Sequence, residues 1–452
     1  MHDMKEKHFA ASVALALGRT GRRKERVSMR RDVFVIGFAL FSMFFGAGNV
    51  IFPPYLGLES GGQWILGFFC YYMADIGLAL LAMFAILREG GVSRVTGRLG
   101  RIPSALLMSA VVLCIGPMLA IPRTAASTFE MSVTPLFPEA SAMVFSVLFF
   151  AVIFLLSVRE SAVVDIVGKI LTPALLIGLL VVILRGVLHP LGPVPGGTLV
   201  ENVPANGVKA GYQTMDVLAA MVFGGIILKS AQSKGYQDQK SKFRAVAGAG
   251  AVAGAALFVV YMGLTYLGVT TSGEFGRWVN RTFLVTYIVR SLMGQAGTVV
   301  FALVVALACV TTAVALVSSS ADYFSELSGG RLSYPALVGV MCVFSAVVSN
   351  IGLDQIIAVA SPVLDIVYPP SLALIVLVAF GGSIRNNWVF RFAALGALVF
   401  SVLEALRVYV GMDMPLLAAL PLAHLGFGWA LPAAACGLAG ALLFRKSGGM
   451  KG

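Results

Sequence analysis

Two adjacent hydroxyl side chains, Thr311 and Thr312, lie in the middle of an apolar stretch that reads LACVTTAVALVSSSADYF. A sodium ion without carboxylate ligands needs hydroxyl and carbonyl oxygens, and a Thr-Thr pair that faces an interrupted helix can supply them. The competing interpretation is that each hydroxyl bonds back to the carbonyl four residues earlier in its own helix. The spacing alone leaves both interpretations open.

Ionisable side chains inside apolar stretches are few, and each is costly in lipid. They are Asp75, Arg123, Glu130, Asp216, Asp365 and Glu404. Asp365, in SPVLDIVYPP, is a candidate carrier of a coupled proton, with a packing hydrogen bond as the alternative. Arg123 and Asp354 are candidates for an ion pair that closes the outer mouth. A static pair, or a bond from Arg123 to Glu130 on the same helix, is the alternative.

These groups must be positioned by helices that are interrupted inside the apolar region. The stretch FALFSMFFGAGNVIFPPYLG carries Gly46, Gly48 and Asn49 at its middle, followed by two prolines. Glycine lowers helix propensity and proline removes a donor, so we expect this helix to be broken near 46–49. A second break is expected near 219–225, where TMDVLAAMVFGGIIL contains Asp216 and a glycine pair. Close packing of small residues is the alternative explanation for the glycines.

The composition places these helices in a membrane. Of the 452 residues, 58% are hydrophobic and 12% are charged, against roughly 25% charged in an average soluble domain. Twelve segments are long and apolar enough to span a bilayer. They lie near 33–57, 63–87, 104–127, 142–158, 166–188, 212–230, 245–269, 298–321, 335–350, 353–381, 388–410 and 428–445. The chain is therefore expected to be all-α, with residues 282–293 forming a helix outside the bilayer.

Basic residues indicate the orientation, because cytoplasmic loops retain Lys and Arg. With the N-terminus inside, 26 of the 33 basic side chains fall on the inner side. Both termini are thus expected in the cytoplasm, with a basic tail at 1–31, a transporter domain at 32–445 and a short tail at 446–452. A signal peptide or a start at Met29 are the alternatives for the N-terminal segment.

Four sequence pieces resemble the bacterial branched-chain amino acid:cation symporter family. They are GAGNVIFPPYLG, GPMLAIPRTAASTFE, GYQTMDVLAAMVFG and SNIGLDQIIAVASPVLDIVYPP, in this order along the chain. The similarity runs from about residue 31 to about residue 445. That family is similar to the amino acid–polyamine–organocation superfamily. The resemblance implies the leucine-transporter fold, a five-plus-five inverted repeat with broken helices one and six and two additional helices.

The resemblance also implies site residues. Ala47 and Gly48, in the GAGN motif with Asn49, would bind the substrate carboxylate. The sodium ligands would be the carbonyls of Ser42, Phe45 and Ala308 with the hydroxyls of Thr311 and Thr312. Residues 219 to 223 would face the substrate from the sixth helix. Candidates for an apolar substrate pocket are Met43, Phe44, Ala219, Met221, Val222 and Phe223.

The implied function is sodium-coupled import of Leu, Ile or Val across a bacterial plasma membrane by alternating access. The partners would be the amino acid, sodium and lipid, with no cofactor and no nucleic acid. A transporter for another small metabolite, or one coupled to protons through Asp365 or Asp75, is the nearer alternative. An enzyme or a channel is the more distant one, because the four histidines form no cluster with cysteines or carboxylates. Asp216 is a further candidate for coupling.

Overall fold

The computed structural model describes residues 31–158, 162–233, 236, 238–382 and 384–444, and in these ranges all regular structure is helical. The predicted tails fall outside the described residues, apart from residue 31. The helices are α1 (31–44), α2 (Ala47–Ser60), α3 (Trp64–Tyr72), α4 (Leu78–Glu89), α5 (Val92–Gly97), α6 (Arg101–Leu113), α7 (Ala120–Thr128), α8 (Ala142–Val158), α9 (Ala162–Leu188), α10 (Val203–Thr214), α11 (Asp216–Ser233), α12 (Gln239–Val269), α13 (Arg281–Leu327), α14 (Tyr334–Val348), α15 (Leu353–Phe380), α16 (Asn387–Ala405), α17 (Pro415–Ala418) and α18 (Ala430–Leu443).

Seven helices in the described ranges are long and apolar enough to cross a membrane, and three shorter apolar helices accompany them. Several present apolar surface outward instead of burying it. Val340, Val343 and Val347 of α14 are each more than 65% exposed, as is Met143 of α8. A soluble protein rarely exposes such continuous apolar faces, so this surface fits contact with lipid.

Polar side chains mark where several helices begin. The side chain of Asn202 accepts a hydrogen bond from the Ala205 amide at the start of α10, and Asp238 does the same for Ser241 at the start of α12. Asn280 caps α13 through the amide of Phe283. Each cap satisfies an amide that has no partner within its helix, and so fixes the residue at which the helix begins.

The first apolar segment is interrupted, as predicted. Helix α1 ends at residue 44, and α2 begins at Ala47 after an extended Gly46 with φ −104° and ψ −175°. No side chain caps the N-terminus of α2. Pro53 and Pro54 then lie within α2 without ending it.

The sixth apolar segment is also interrupted, but the predicted position was wrong. Helix α10 ends at Thr214 and α11 begins at Asp216, with Met215 between them in the left-handed region at φ 69°. Residues 219–225 lie within continuous α11. Gly224 is explained by packing, because a Cβ there would lie 3.0 Å from the side chain of Ile86 on α4. The half-helix α10 also begins nine residues before the predicted segment 212–230.

Two further interruptions were not predicted. Between α6 and α7 the chain forms a π-helical turn, Cys114–Met118, in which Gly116 has non-helical φ and ψ. Between α3 and α4 a second π-helical turn, Met73–Gly77, contains Asp75. A third interruption, at Gly294 of α13 with φ 66°, separates residues 281–293 from the long apolar part of that helix, and this division agrees with the separate helix predicted at 282–293. Such π-turns are frequent at functional sites.

Glycines bring the broken helices close to their neighbours. A Cβ on Gly57 of α2 would lie 1.9 Å from the Thr265 carbonyl oxygen of α12, and one on Gly268 of α12 would lie 1.8 Å from the Pro54 oxygen. Gly207 and Gly211 of α10 contact the α3 segment in the same way. Small residues at these crossings allow backbone-to-backbone contact, which holds α2 and α10 in place.

Candidate functional site

The two chain breaks meet at the side chain of Asn49. Its Nδ2 donates to the carbonyl of Phe44, the last residue of α1, at 2.5 Å. The same Nδ2 donates to Oδ2 of Asp216, the first residue of α11, at 2.8 Å. Asn49 is 1% exposed. One buried amide therefore spans the break in the first segment and ties it to the break in the sixth.

Arg123 joins the breaks from a third direction. It lies on α7, beyond the kink at Gly116, and is buried. Its Nη1 donates to the carbonyl of Gln213 at 2.6 Å and its Nη2 to that of Thr214 at 3.2 Å, so the guanidinium satisfies the C-terminal end of α10. A Cβ on Gly48 would lie 2.8 Å from Nη2. The guanidinium thus lies against the first turn of α2.

The first amides of α2 have no acceptor within their helix, because the first four amides of any helix lack one. Ala47 and Gly48 are the first two residues of α2. The helix dipole and Arg123 both make this point favourable for a carboxylate. The arrangement can therefore bind an anionic group at the break in the first segment.

The Thr-Thr pair faces the same break. The methyl carbon of Thr312 would lie 3.8 Å from a Cβ built on Gly46. The hydroxyl of Thr311 donates to the carbonyl of Ala308 at 2.9 Å, which brings together two of the expected sodium ligands. This is the own-helix bond foreseen as the alternative, although it runs three residues back and not four. The expected carbonyls of Ser42 and Phe45 lie at the end of α1 and in the break itself.

The apolar residues proposed for a substrate pocket lie on both sides of the breaks. Met43 and Phe44 end α1, with Phe44 buried. Those of α11 begin one turn after its first residue and are mostly buried: Ala219, Met221, Val222 and Phe223, of which Val222 is half-buried. The amide of Ala219 donates to the Met215 carbonyl, so α11 is helical from the break onward.

Asp354 and Arg123 do not form the expected pair. Nη1 of Arg281 lies 2.5 Å from Oδ1 of Asp354, and Asn280 donates to its other oxygen at 3.0 Å. The alternative bond from Arg123 to Glu130 is not formed either: Glu130 accepts from the Thr282 hydroxyl and the Leu353 amide. The reason is that Arg123 follows the kink at Gly116 and reaches the buried end of α10. Asp354 pairs with Arg281 instead.

Asp365 lies beside a separate polar cavity of about 200 Å³. Its Oδ2 accepts a hydrogen bond from the Tyr409 hydroxyl at 2.8 Å. Charged groups of both signs line the same cavity, among them Glu59, Lys209 and Arg277. Gln213 also lines it and donates to the hydroxyl of Ser361 on α15 at 2.7 Å. Gln213, whose carbonyl binds Arg123, therefore forms part of the cavity wall.

Sequence reasoning did not single out Gln213 and Thr214, and it named Asp75 only as an ionisable group and a possible site of proton coupling. The Thr214 hydroxyl donates to Oδ1 of Asp75 at 2.7 Å, which links the π-turn before α4 to the end of α10. The signal was present in the run Gln213-Thr214-Met215-Asp216, since its three polar side chains in an apolar segment need buried partners.

Comparison with known proteins identifies the family of this chain. A family model described as branched-chain amino acid transport protein matches residues 29–447. The chain belongs to this family. Among curated relatives, the branched-chain amino acid permease BraB of Bacillus subtilis is 34% identical over 91% of this chain and 94% of its own length. The branched-chain amino acid transport system 2 carrier protein of Pseudomonas aeruginosa is 36% identical over 89% and 93%. These transporter names agree with the expectation that this family member is not an enzyme.

Solved structures identify the fold of this transporter-family chain. The inward-facing conformation of Mhp1 aligns with a TM-score of 0.60 at 14% identity, over 92% of this chain and 91% of that one. MhsT in complex with L-phenylalanine aligns with a TM-score of 0.55 at 17% identity, over 91% and 98%. The expected leucine-transporter fold, all-helical with broken first and sixth segments, is confirmed.

Proposed function

We propose that the chain is a sodium-coupled symporter that imports the branched-chain amino acids Leu, Ile and Val by alternating access. The observation that carries this proposal is the meeting of the two breaks. The open N-terminus of α2 lies beside Arg123, and Asn49 connects it to α11. Transporters use such half-helix ends to bind the charged groups of small substrates. The amides of Ala47 and Gly48 would hold the substrate carboxylate.

The sodium ion would bind next to the substrate. Its ligands would be the carbonyls of Ser42, Phe45 and Ala308 with the hydroxyls of Thr311 and Thr312. The position of the Thr312 methyl, 3.8 Å from a Cβ built on Gly46, supports this proposal, because an ion held by this threonine would lie at the break proposed to bind the carboxylate. Ion and substrate would then stabilise the same conformation of the break, which is what coupling requires. A membrane potential that is negative inside adds about 2.3 kcal/mol to the driving force for sodium entry, per charge and per 100 mV.

The side chain of the substrate would lie among apolar residues. Met43 and Phe44 of α1 and Met221, Val222 and Phe223 of α11 are the candidates. An apolar pocket distinguishes substrates that differ by one methylene by only about 1–3 kcal/mol. We therefore expect Leu, Ile and Val to compete with one another, whereas polar amino acids should compete weakly.

The same proposal places the chain in the bacterial plasma membrane with twelve spans and both termini in the cytoplasm. The excess of Lys and Arg on one side supports this orientation. The transporter domain would cover residues 32–445, flanked by cytoplasmic tails at 1–31 and 446–452.

Uptake of labelled isoleucine by the purified protein in liposomes tests the proposal. We expect accumulation with an inward sodium gradient and none when potassium replaces sodium. Excess unlabelled Leu or Val should abolish the uptake, and excess serine should not. Equal uptake with either cation would exclude sodium coupling.

Proton coupling is the second candidate, and the position of Asp365 favours it. This carboxyl lines the polar cavity beside Tyr409, where a proton from water could reach it. Accumulation driven by an inward proton gradient without sodium, and lost in Asp365→Asn, would establish this alternative.

A further inference from the structure

An apolar groove of about 930 Å³ runs between α15, α16 and α18. It is open at the surface, since Leu438 in its wall is 66% exposed. Among the described residues, it shares none with the polar cavity beside Asp365. Neither the proposed substrate site nor the proposed sodium site uses it. Helix α18 contributes mostly small side chains, which leave space between the helices: Ala430, Ala433, Ala434, Gly437 and Ala441.

The apolar lining determines what can fill the groove. The strongly polar side chains among its described residues are Arg385 and Asn386, which are neighbours in the chain. Asn386 is already engaged, since it accepts from the Trp388 amide and donates to the Phe444 carbonyl. A water molecule in a cavity needs about two to four polar partners, and an empty groove forfeits the dispersion contacts of its walls. In a membrane, the molecules that meet an outward-facing apolar groove are lipids, so an acyl chain is the occupant that fits.

The length of the groove matches one leaflet of a bilayer. Its lining residues on α18 extend from Ala430 to Ala441, a rise of about 16 Å along a helix. One half of the hydrocarbon core of a bilayer is about 15 Å thick. The end at Ala441 is the polar end, because Asn386 donates at 3.2 Å to the carbonyl of Phe444, just beyond α18. A phospholipid with its headgroup at this end would fill the groove with an acyl chain.

Arg385 supplies positive charge at this end of the groove. It is exposed and lines the groove. It forms no ion pair with another described residue, and no described residue of the lining is acidic. A guanidinium binds a phosphate group through parallel N–H bonds. The polar end of the groove therefore matches the phosphate of a phospholipid in charge.

Further arginines lie in the two chain segments that meet at this end, 88–101 and 381–391. The segments are joined by Arg98, which donates to the carbonyl of Ile384 at 3.1 Å. Together they contain six arginines and one acidic residue, Glu89. Glu89 is paired with Arg98 at 2.9 Å. Basic side chains near a membrane surface attract anionic lipid, so an anionic headgroup should be held here more strongly than one without net charge.

We infer that the groove is a binding site for a phospholipid with an anionic headgroup. Arg385 binds the phosphate, and one acyl chain lies along the small residues of α18. In the proposed orientation, the headgroup lies in the cytoplasmic leaflet. The bound lipid fills the space that the small residues leave beside α15. The inference does not depend on which ion or which amino acid the chain transports.

Native mass spectrometry of the purified chain in detergent tests the headgroup. The protein is titrated with phosphatidylglycerol, which is anionic, or with phosphatidylcholine of the same acyl chains, which has no net charge. We expect one phosphatidylglycerol to bind more tightly than phosphatidylcholine. Arg385→Gln should weaken phosphatidylglycerol binding by about fivefold, the contribution of one basic side chain near a membrane surface, and leave phosphatidylcholine binding unchanged. Arg331→Gln, at an exposed arginine in the loop before α14, is the matched control and should bind as wild type does.

Filling the groove tests the position of the acyl chain. Ala434→Trp places a large side chain among the lining residues and should abolish the binding of the tightly held phosphatidylglycerol. Ala435→Trp is the matched control, because Ala435 is also exposed on α18 but does not line the groove. Should the Ala434 variant fail to accumulate, the two arginine variants decide the question.

Three results would overturn the inference. The first is equal binding of the two lipids by wild type. The second is wild-type affinity for phosphatidylglycerol in Arg385→Gln or in Ala434→Trp. The third is a dimer without bound lipid that becomes a monomer in Ala434→Trp, since the groove would then be covered by a second copy of the chain.

Discussion

At the scale of single residues, the polar groups of the centre act first as connections between chain breaks. Asn49, in α2, bonds across the first break to Phe44 and also to Asp216 at the start of α11. Arg123 satisfies two carbonyls at the end of α10. Each interruption frees backbone groups that lipid cannot satisfy, so the molecule needs these side chains before any substrate binds.

Replacing Arg123 by lysine tests this role. An ammonium keeps the charge but lacks the planar fork that reaches two carbonyls. One buried carbonyl left without a donor costs about 1–3 kcal/mol, so Arg123→Lys should unfold at lower temperature in detergent and lose isoleucine uptake. Arg407→Lys is the matched control, because Arg407 is a partly exposed partner of Glu404. Equal melting temperature and uptake in the Arg123 variant would contradict the assignment.

The hydroxyls of Thr311 and Thr312 give a second prediction. Alanine at both positions removes two of the oxygen ligands proposed for sodium, and so should raise the sodium concentration needed for half-maximal uptake. Competition among Leu, Ile and Val should stay the same. Thr286→Ala on the same helix is the control, since its hydroxyl bonds back to the carbonyls of Thr282 and Phe283. A double variant with the wild-type sodium dependence would place the ion elsewhere.

Several residue roles could not be predicted because they depend on contacts between distant segments. The sequence indicates that Arg123 must have a buried partner, but it does not indicate which one. The kink at Gly116 determines that, and it turns the side chain toward α10 instead of Asp354. Likewise, Asn49 lies in the motif as expected, yet its two bonds to Phe44 and Asp216 follow from the folded arrangement.

At the scale of helices, glycine was a good signal in the first segment and a misleading one in the sixth. Gly46 is extended and interrupts the helix. Gly224 is helical and allows Ile86 to approach. Both residues appear as glycine in an apolar run, and only the neighbouring helix distinguishes them. The break before α11 occurs at Met215, whose positive φ is uncommon for a long side chain.

Close packing of α2 and α12 yields the prediction for this scale. A Cβ on Gly268 would lie 1.8 Å from the Pro54 carbonyl oxygen, so the helices must separate in Gly268→Ala. Overpacking of this kind costs about 1–3 kcal/mol or more. A thermal melt in detergent should show clear destabilisation.

Gly178→Ala on α9 is the control for this substitution. No atom lies within 4 Å of the added Cβ, so the change should be neutral or slightly stabilising. Equal melting temperatures for the Gly268 and Gly178 variants would show that the crossing is not tight.

At the scale of the whole molecule, composition and the order of motifs predicted the fold class and the family, because both depend on patterns spread over the chain. The low charge predicts lipid contact, which the exposed valines of α14 support. A contact between two segments depends on one pair of residues, so patterns spread over the chain do not predict it. Asp354 therefore pairs with Arg281, and not with Arg123.

Sodium and isoleucine are proposed to bind at the same break, and coupling of this kind must act in both directions. The most direct test is the entry of labelled sodium into liposomes that contain the purified protein and start with equal sodium on both sides. An inward gradient of isoleucine should drive labelled sodium inward, and the Thr311→Ala, Thr312→Ala variant should show much less. Entry of isoleucine without any accompanying sodium would contradict the account.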